Sequence, residues 1–572
     1  MKQSLQKHKV RQVEKVRSLC LIAVLGLSLL ALLLCLAFFL FPLLSAIISV
    51  FFSHAKGAEA GYFSFATSKI ASIFLFTIFH SFFSALLAVI LGLCLAFFCA
   101  NRSFKGKKLL LSLSAIPFTM PPLIIALSYI LFFGNNGLFF KMLKGVFHLN
   151  VSSFLYSIVG IILVQGMYNF PIAMQGITES WQKVPKHEIE VATLLGASPF
   201  FIFRSVTLPH ILPAIFSSFL LVFLFCFFSF VIVLMFGGVG VSTIEVELYK
   251  YAVHSVNAKT LGTFFLIEFS FALLLVFFHT YFNKKCEIKG ITVANIEVKR
   301  LAKKENILFI LLLVIILFFL ILPLISIFFF SFHSNKASFN SSFASSQRFF
   351  NFSFRTWERV FSSHRFWRSF FSSIYIGLCT TIVSISATIF YTFLRLFIIK
   401  NKWIDVLPFL PLATSSIMLG TGWHFIAPNV SYFVGTLMLI SCQASLFYPF
   451  AVAKINIAIK SAVPENLIEV AILLSQSKVK AFFSVVLPLI SSSFKTASAI
   501  IFAMSIADAS LPLVLGIEGF SNLSLLLFDY ASSYRFSESA VIGTTLLLSS
   551  GLIFFFSNRN KKRQGDDITN AM

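Results

Sequence analysis

Charge is scarce in this chain: only 12% of its residues are Asp, Glu, Lys or Arg, while 58% are hydrophobic. A soluble globule keeps roughly a quarter of its residues charged to hold its surface in water, so that class is excluded. The eight cysteines, Cys20, Cys35, Cys94, Cys99, Cys226, Cys286, Cys379 and Cys442, lie mostly inside apolar runs and show neither metal-ligand nor disulfide spacing. They read as packing residues. Catalytic signatures are missing too. There is no Gly-x-x-x-x-Gly-Lys-Ser/Thr phosphate loop, since Gly106-Lys107-Lys108 fails at the required hydroxyl, and there is no His-Glu-x-x-His or Gly-x-Ser-x-Gly. A membrane-embedded enzyme therefore has little support, no metal or cofactor is expected on this chain, and any nucleotide-driven work must come from another one.

What is abundant is apolar length. A helix needs about 20 apolar residues to cross a hydrocarbon core of about 30 Å, and twelve segments qualify: 19–45, 70–100, 109–133, 153–178, 212–236, 260–282, 307–331, 369–394, 405–427, 431–456, 489–514 and 537–557. The expected fold class is an all-α polytopic membrane protein. The first segment is too long for a signal-peptide core and lacks a small-x-small cleavage site, so it reads as a retained helix. Basic residues cluster before it, from Lys2 to Arg17, and again at Arg102–Lys108, Lys284–Lys304, Arg395–Lys402 and Arg559–Arg563. Twelve crossings place all of these on one side, which the positive-inside rule makes cytosolic, with both termini. The loop Lys336–Arg368 runs against the rule, holding Arg348, Arg355, Arg359 and Arg365 on the outer side. The formal charge of +24 is thus explained by topology and anionic lipid rather than by nucleic acid. The 76 phenylalanines read as lipid-facing filler.

A polar segment occurs twice, 279 positions apart. Val184-Pro185 leads through Glu190-Val191-Ala192 and Leu194-Leu195-Gly196 to Leu208-Pro209; Val463-Pro464 leads through Glu469-Val470-Ala471 and Leu473-Leu474-Ser475 to Leu487-Pro488. The same offset matches Gly237 with Gly516, Leu248 with Leu527 and Tyr251 with Tyr530, so the chain is a tandem repeat. Six helices fall in each half, 1–282 and 307–572, joined by a charged linker at 283–306. An even number of crossings points both copies the same way and permits a pseudo-two-fold pair about the membrane normal. Each polar segment suits a helix-turn-helix knob beside the membrane. Ala192 and Ala471 are small enough for another surface to approach, Gly196 takes the tight turn, and the Leu-Pro pair is expected to stop a second short helix before the next span. Two copies at matched spacing point to a docking element.

The Glu-Ala-Ala, then Gly, then Leu-Pro pattern resembles the signature of permease subunits in bacterial ABC importers that use an extracytoplasmic binding protein. The resemblance covers nearly the whole chain and implies a type I permease fold in the bacterial cytoplasmic membrane. It further implies that each knob, at about 184–209 and 463–488, is a coupling helix seated in one of two copies of a cytosolic ATPase, which binds the ATP and Mg. The residues carried over are Glu190, Ala192, Gly196, Leu208 and Pro209, with Glu469, Ala471, Ser475, Leu487 and Pro488. Val191 and Val470 replace the pattern's middle alanine, and Ser475 replaces its glycine, so a blunter second turn is expected. Fusion of both halves resembles permeases for thiamine and for ferric iron. Phe236-Gly237-Gly238, Ser242-Thr243-Ile244-Glu245, Leu248-Tyr249, Ser505-Ile506-Ala507-Asp508 and Ser532-Ser533-Tyr534-Arg535 are similar to the thiamine type.

Polar residues inside the spans are the candidates for a translocation path. Asp508 stands where the first half has Ser229, and an intramembrane carboxylate costs at least about 2.5 kcal/mol unless it faces protein or water. It reads either as a path charge for a cationic solute or as a carboxylate tied to helix backbone or to Ser505 and Ser510. Glu268 has apolar neighbours and reads equally well as a packed or protonated carboxyl. Gln165, Tyr168 and Asn169 share one helix face before Pro171, with Gln443 and Tyr448 in the comparable tenth span; path exposure and interhelical hydrogen bonding both fit them. Pro117, Pro121 and Pro122 break the third span and Pro408 and Pro411 the ninth, leaving carbonyls that need partners and bends that could hinge a gate. An ion-gradient carrier shares the six-plus-six architecture, but it has no need for two matched knobs.

Overall fold

A helix that is apolar on every face has no stable place in water, and the computed structural model of the chain is built from such helices. It describes residues 22–45, 48, 60–113, 120–147, 153–237, 242–254, 258–285, 299–300, 303–332, 353–399, 406–427 and 430–551. Among these, ten helices are long and apolar enough to cross a bilayer: Ile22–Ser45, Lys69–Asn101, Pro122–Lys144, Ile158–Trp181, Pro199–Phe227, Thr260–Lys285, Glu305–Ser331, His364–Phe397, Tyr432–Ala462 and Lys478–Ala507. The chain is an all-α polytopic membrane protein.

The other two expected crossings take different forms. The ninth is a 3-10 turn at Leu407–Ala413 followed by a helix at Ser416–Ile426, because Pro408 and Pro411 lack the N–H an α-helix requires. The twelfth is helical from 536 to 551, where the description ends. In the third, the described residues form one helix at Lys107–Ser112 and another that starts at Pro122. Pro117, Gly238, Cys20, Cys286 and Arg559–Arg563 lie outside the described residues.

The Leu-Pro pairs correct the expectation of a helix stop. Leu208-Pro209, Leu487-Pro488 and Leu322-Pro323 each follow a π-helical turn, at Phe203–Thr207, Phe482–Val486 and Leu317–Ile321, and the helix runs straight on. Widening the turn relieves the clash between the proline ring and the carbonyl four residues back, and no N–H is missed there.

Packing groups the chain into two units that cut across the two sequence halves. One comprises 1–45, 370–522 and 548–572; the other comprises 46–369 and 523–547. In the first, helix Ile22–Ser45 shares a core with residues from the chain's later half: Ala31 and Cys35 pack with Tyr391, Ala444 and Tyr448. Ser445 Oγ donates to the Cys35 carbonyl at 2.8 Å, and Trp423 Nε1 to that of Phe38 at 3.2 Å.

In the second unit, helix Glu305–Ser331 packs on early helices. Phe309 meets Phe98 and Phe104, the Tyr129 hydroxyl donates to the Phe319 carbonyl, and Arg102 grips Glu305 with two hydrogen bonds of 2.8 and 2.5 Å. That carboxylate raises the Arg102 pKa against a smaller opposing effect of burial. Lys299–Arg300, from the linker, pair with Arg102–Ser103 as two short parallel strands. The loop that defied the charge rule is partly neutralised: Arg359 and Arg535 both reach buried Glu538 at 3.2 and 3.1 Å, and Arg365 reaches Asp529 at 2.6 Å. Lys336 and Arg348 are outside the described residues.

At Gly92 the helices Ala60–Asn101 and Ile158–Trp181 approach closely. A Cβ there would lie 2.8 Å from the Met174 backbone nitrogen and 2.9 Å from Ala173 Cβ. Gly92→Ala is expected to force the two backbones apart and cost about 1–3 kcal/mol, read as a lower melting temperature in detergent.

Candidate functional site

The first knob starts with helix Lys186–Leu194 behind Pro185. Gly196 stops it at φ 78°. Its N–H reaches the Thr193 carbonyl and that of Ala197 reaches Ala192, both at 3.0 Å, the paired bonds of a Schellman turn. A Cβ on Gly196 would meet nothing within 4 Å, so backbone conformation alone favours glycine there. Ser198 then caps Pro199–Ile202 by accepting from the Phe201 N–H at 3.3 Å, and the chain continues through its π-turn into the next span.

In the second knob helix Glu465–Ser475 is longer. With serine at the glycine position, the left-handed residue moves one place on, to Gln476 at φ 54°, whose N–H reaches the Ile472 carbonyl at 2.9 Å. This is the single-bond alternative to the Schellman turn. The Ser475 hydroxyl lies 2.6 Å from the Ala471 carbonyl and 3.0 Å from that of Ser477. The second turn is therefore displaced but still reverses the chain. Holding a non-glycine left-handed is strained, so Gln476→Gly is expected to stabilise the chain by about 0.5–1 kcal/mol after its added unfolded-state freedom is counted, measurable as a raised melting temperature.

The knobs turn apolar residues outward. Leu194 and Leu195 are 86% and 82% exposed, Leu473 and Leu474 77% and 81%. Large apolar side chains this bare in a polar loop mark an interaction surface. Glu190 and Glu469 are exposed one turn before them, with no ion pair among the described residues. Ala192 is half-buried, and Ala471 is buried in a core with Ala481, Phe482 and Val486. Its small size serves inward packing; the leucines form the outer face, a role the sequence reading passed over although two exposed large side chains per copy were its signal. Leu208 and Leu487 are half-buried, while Pro209 and Pro488 are exposed.

The path candidates gather round two glutamines, one in each packing unit. Gln443 is fully buried. Its Oε1 accepts from Ser505 at 2.6 Å and Thr380 at 3.2 Å, and its Nε2 donates to Asp508 Oδ2 at 3.1 Å. Asp508 sits in the break between Leu487–Ala507 and Ser510–Leu515, where Oδ1 accepts from the N–H groups of Ser510 at 3.0 Å and Leu511 at 3.4 Å. It is the one path candidate that keeps partial solvent exposure. Gln165 is also fully buried, with Ser84 donating to its Oε1 at 3.0 Å and His80 Nδ1 at 3.3 Å. Its Nε2 has no hydrogen-bond partner among the described residues, and the repeat position of Asp508 holds Ser229 in this half. Asn169 donates to the Gln165 carbonyl at 3.0 Å. Tyr168 donates to the Met120 carbonyl at 2.9 Å, satisfying a group beside Pro121 and Pro122. Tyr448 is buried in its helix core, and Glu268 is buried beside Glu245.

Residues 88–286 match the sequence profile of the family described as binding-protein-dependent transport system inner membrane component. The match includes the first knob. Across most of its length the chain is similar to the thiamine transport system permease protein of Haemophilus influenzae, 23% identical over 521 residues, covering 88% of this chain and 91% of that protein. It is 24% identical over 494 residues to the protein of the same description from Brucella abortus, covering 83% and 84%. A candidate 2-aminoethylphosphonate transport system permease protein of Salmonella typhi is 29% identical over 175 residues, 30% of this chain and 61% of that one.

Proposed function

We propose that this chain, which carries a binding-protein-dependent permease domain at 88–286, is the fused membrane subunit of an ATP-driven importer that passes thiamine or its phosphates into the cell. The observation that carries the reading is the pair of knobs at one repeat spacing, each ending in two bare leucines. Burying a leucine is worth roughly 1.5–3 kcal/mol, and a surface made twice calls for a partner that offers the same site twice. Two copies of a cytosolic ATPase meet that requirement, with the knobs and both termini on the cytosolic side and a solute-binding protein delivering cargo from the other.

In this mechanism the chain performs no bond chemistry. Closure of the ATPases on nucleotide pulls the two knobs, and because each second knob helix runs without a stop through its π-turn into a span, displacement at the tip is passed directly into the bilayer. Thiamine as cargo is supported by the names of the relatives that align over most of the chain. A partly exposed carboxylate, Asp508, suits a cationic solute. Deleting the chain should abolish uptake of labelled thiamine at nanomolar concentration while leaving 2-aminoethylphosphonate uptake unchanged. Unaltered thiamine uptake would remove the cargo assignment, and transport in liposomes on a proton or sodium gradient without any ATPase would remove the class.

A further inference from the structure

Two basic runs that are far apart in the sequence meet at one rim of the unit that holds 46–369. Arg102, Lys105, Lys107 and Lys108 follow helix Ala60–Asn101, and Lys299, Arg300, Lys303 and Lys304 lead into helix Glu305–Ser331. Parallel pairing sets Arg102 opposite Lys299 and Ser103 opposite Arg300. The junction is held by the Arg102–Glu305 ion pair and by Phe104 on Phe309, ring centroids 4.6 Å apart. Lys105 and Lys108 are exposed with no ion pair among the described residues, and Lys107 Nζ reaches the Arg102 carbonyl at 3.4 Å. Helix Ile158–Trp181, which touches Lys107–Ser112, adds one acid, Glu179, exposed and accepting from Gln175 at 2.8 Å. Glu297 lies outside the described residues. On these elements two acids, Glu305 and Glu179, stand against eight cations.

The positive-inside rule accounts for each run by itself, but not for their pairing. A two-stranded pair this short is marginal alone, and gathering like charges adds self-repulsion. An anion between the runs offsets both. Just inside the rim the same two segments turn apolar side chains outward: Leu109 and Ile307 are each 73% exposed, and Leu308 and Leu311 more than half. Ile307 and Leu311 share one helix face. Cations at the rim with bare apolar side chains beneath them suit a phosphate that carries acyl chains better than a free one. We infer that the paired segments form a binding site for an anionic phospholipid, its headgroup phosphate between the two basic runs and its chains along Leu109, Ile307 and Leu311. The lipid fastens the end of the linker to the first half of the chain. This inference is independent of the importer reading.

The test titrates the delipidated full chain, in a neutral detergent, with dioctanoyl phosphatidylglycerol, dioctanoyl phosphatidylcholine and inorganic phosphate. Native mass spectrometry reads the bound molecules, and the melting temperature reads their effect. Phosphatidylglycerol is expected to be retained and to raise the melting temperature, while the other two at the same concentrations do neither. Each cation near an anionic lipid contributes about fivefold to binding. Lys105→Gln with Lys108→Gln, and separately Lys303→Gln with Lys304→Gln, should therefore each weaken phosphatidylglycerol about twentyfold. Lys105→Arg with Lys108→Arg, and Lys303→Arg with Lys304→Arg, keep the charge and should bind as wild type does. Without lipid, the glutamine variant at Lys105 and Lys108 should melt with wild type, since both side chains are exposed. Equal binding of phosphatidylcholine, or an equal effect of inorganic phosphate, would overturn the lipid assignment. Weakening from one segment alone would overturn the shared site, and arginine pairs as weak as the glutamine pairs would remove charge as the holding force.

Discussion

Lysine at both Glu190 and Glu469 should strip the chain of the ATPase subunits proposed for it while leaving it folded and inserted. Each glutamate is exposed on the first knob helix, four residues before an exposed leucine, Leu194 or Leu473, and so on the same helix face. Neither belongs to an ion pair among the described residues, so reversing the charge breaks no ion pair among them, and surface changes of this kind stay within about 0.5 kcal/mol. Against a partner the effect is large. Truncating one member of a buried charged pair costs about 2–5 kcal/mol, and reversal adds repulsion, so two altered contacts together should reduce the co-purified ATPase of the proposed importer to near none. Undiminished ATPase on a normally melting double variant would show that these faces are not the docking surface.

The second large effect is expected at Asp508. Its carboxylate holds three donors: the N–H groups of Ser510 and Leu511 and the Gln443 amide. Asp508→Ala removes a helix cap, worth about 1 kcal/mol, and takes the nearer of two acceptors from the buried Gln443 amide, leaving it the Ser505 carbonyl at 3.4 Å and one N–H unpaired, worth about 1–3 more. Gln443 cannot turn over to compensate, since its oxygen already serves Thr380 and Ser505. A fall of about 2–4 kcal/mol in stability should follow, read as a lower melting temperature. Asp508→Asn is the sharper variant. Its oxygen can still cap Ser510 and Leu511, but its amide faces another donor and it carries no charge. If the charge attracts cationic cargo, uptake should fall about tenfold, equivalent to about 1.4 kcal/mol, with ATPase binding retained and the melting point lowered less than in Asp508→Ala, because the cap is kept. Uptake that merely tracks the melting point would make Asp508 a structural cap.

Both sites were legible in the sequence to different depths. The knobs stood out because a polar run recurs at one offset between apolar segments, and that pattern survives in the structure as matched helix, turn and π-turn. Less visible was the use of each residue. Alanine reads as room for a neighbour, yet only three-dimensional packing says that Ala471 faces its own core and that Leu473 and Leu474 face out. Leu-Pro reads as a stop, yet a widened turn carries the helix through. The Gln443–Asp508 contact joins residues 65 apart, and nothing local in either segment announces it. Ten of the twelve crossings expected from hydropathy are membrane-length helices among the described residues, but hydropathy could not assign their neighbours: a lipid-compatible helix is equally apolar toward any partner. Charge was misleading in the opposite way, since Arg359 and Arg365 read as a violation until Glu538 and Asp529, far along the chain, are seen beside them.

The placement of helix Ile22–Ser45 has a consequence for biogenesis. The residues that receive it, Trp423 and Ser445, follow it by 385 and 410 positions. At a ribosomal rate of roughly 5–20 residues per second, the nascent helix waits roughly 20 to 80 seconds in lipid before its seat exists. During that interval it depends on insertase or bilayer alone, which makes the first of the described helices one of the last to reach its final neighbours.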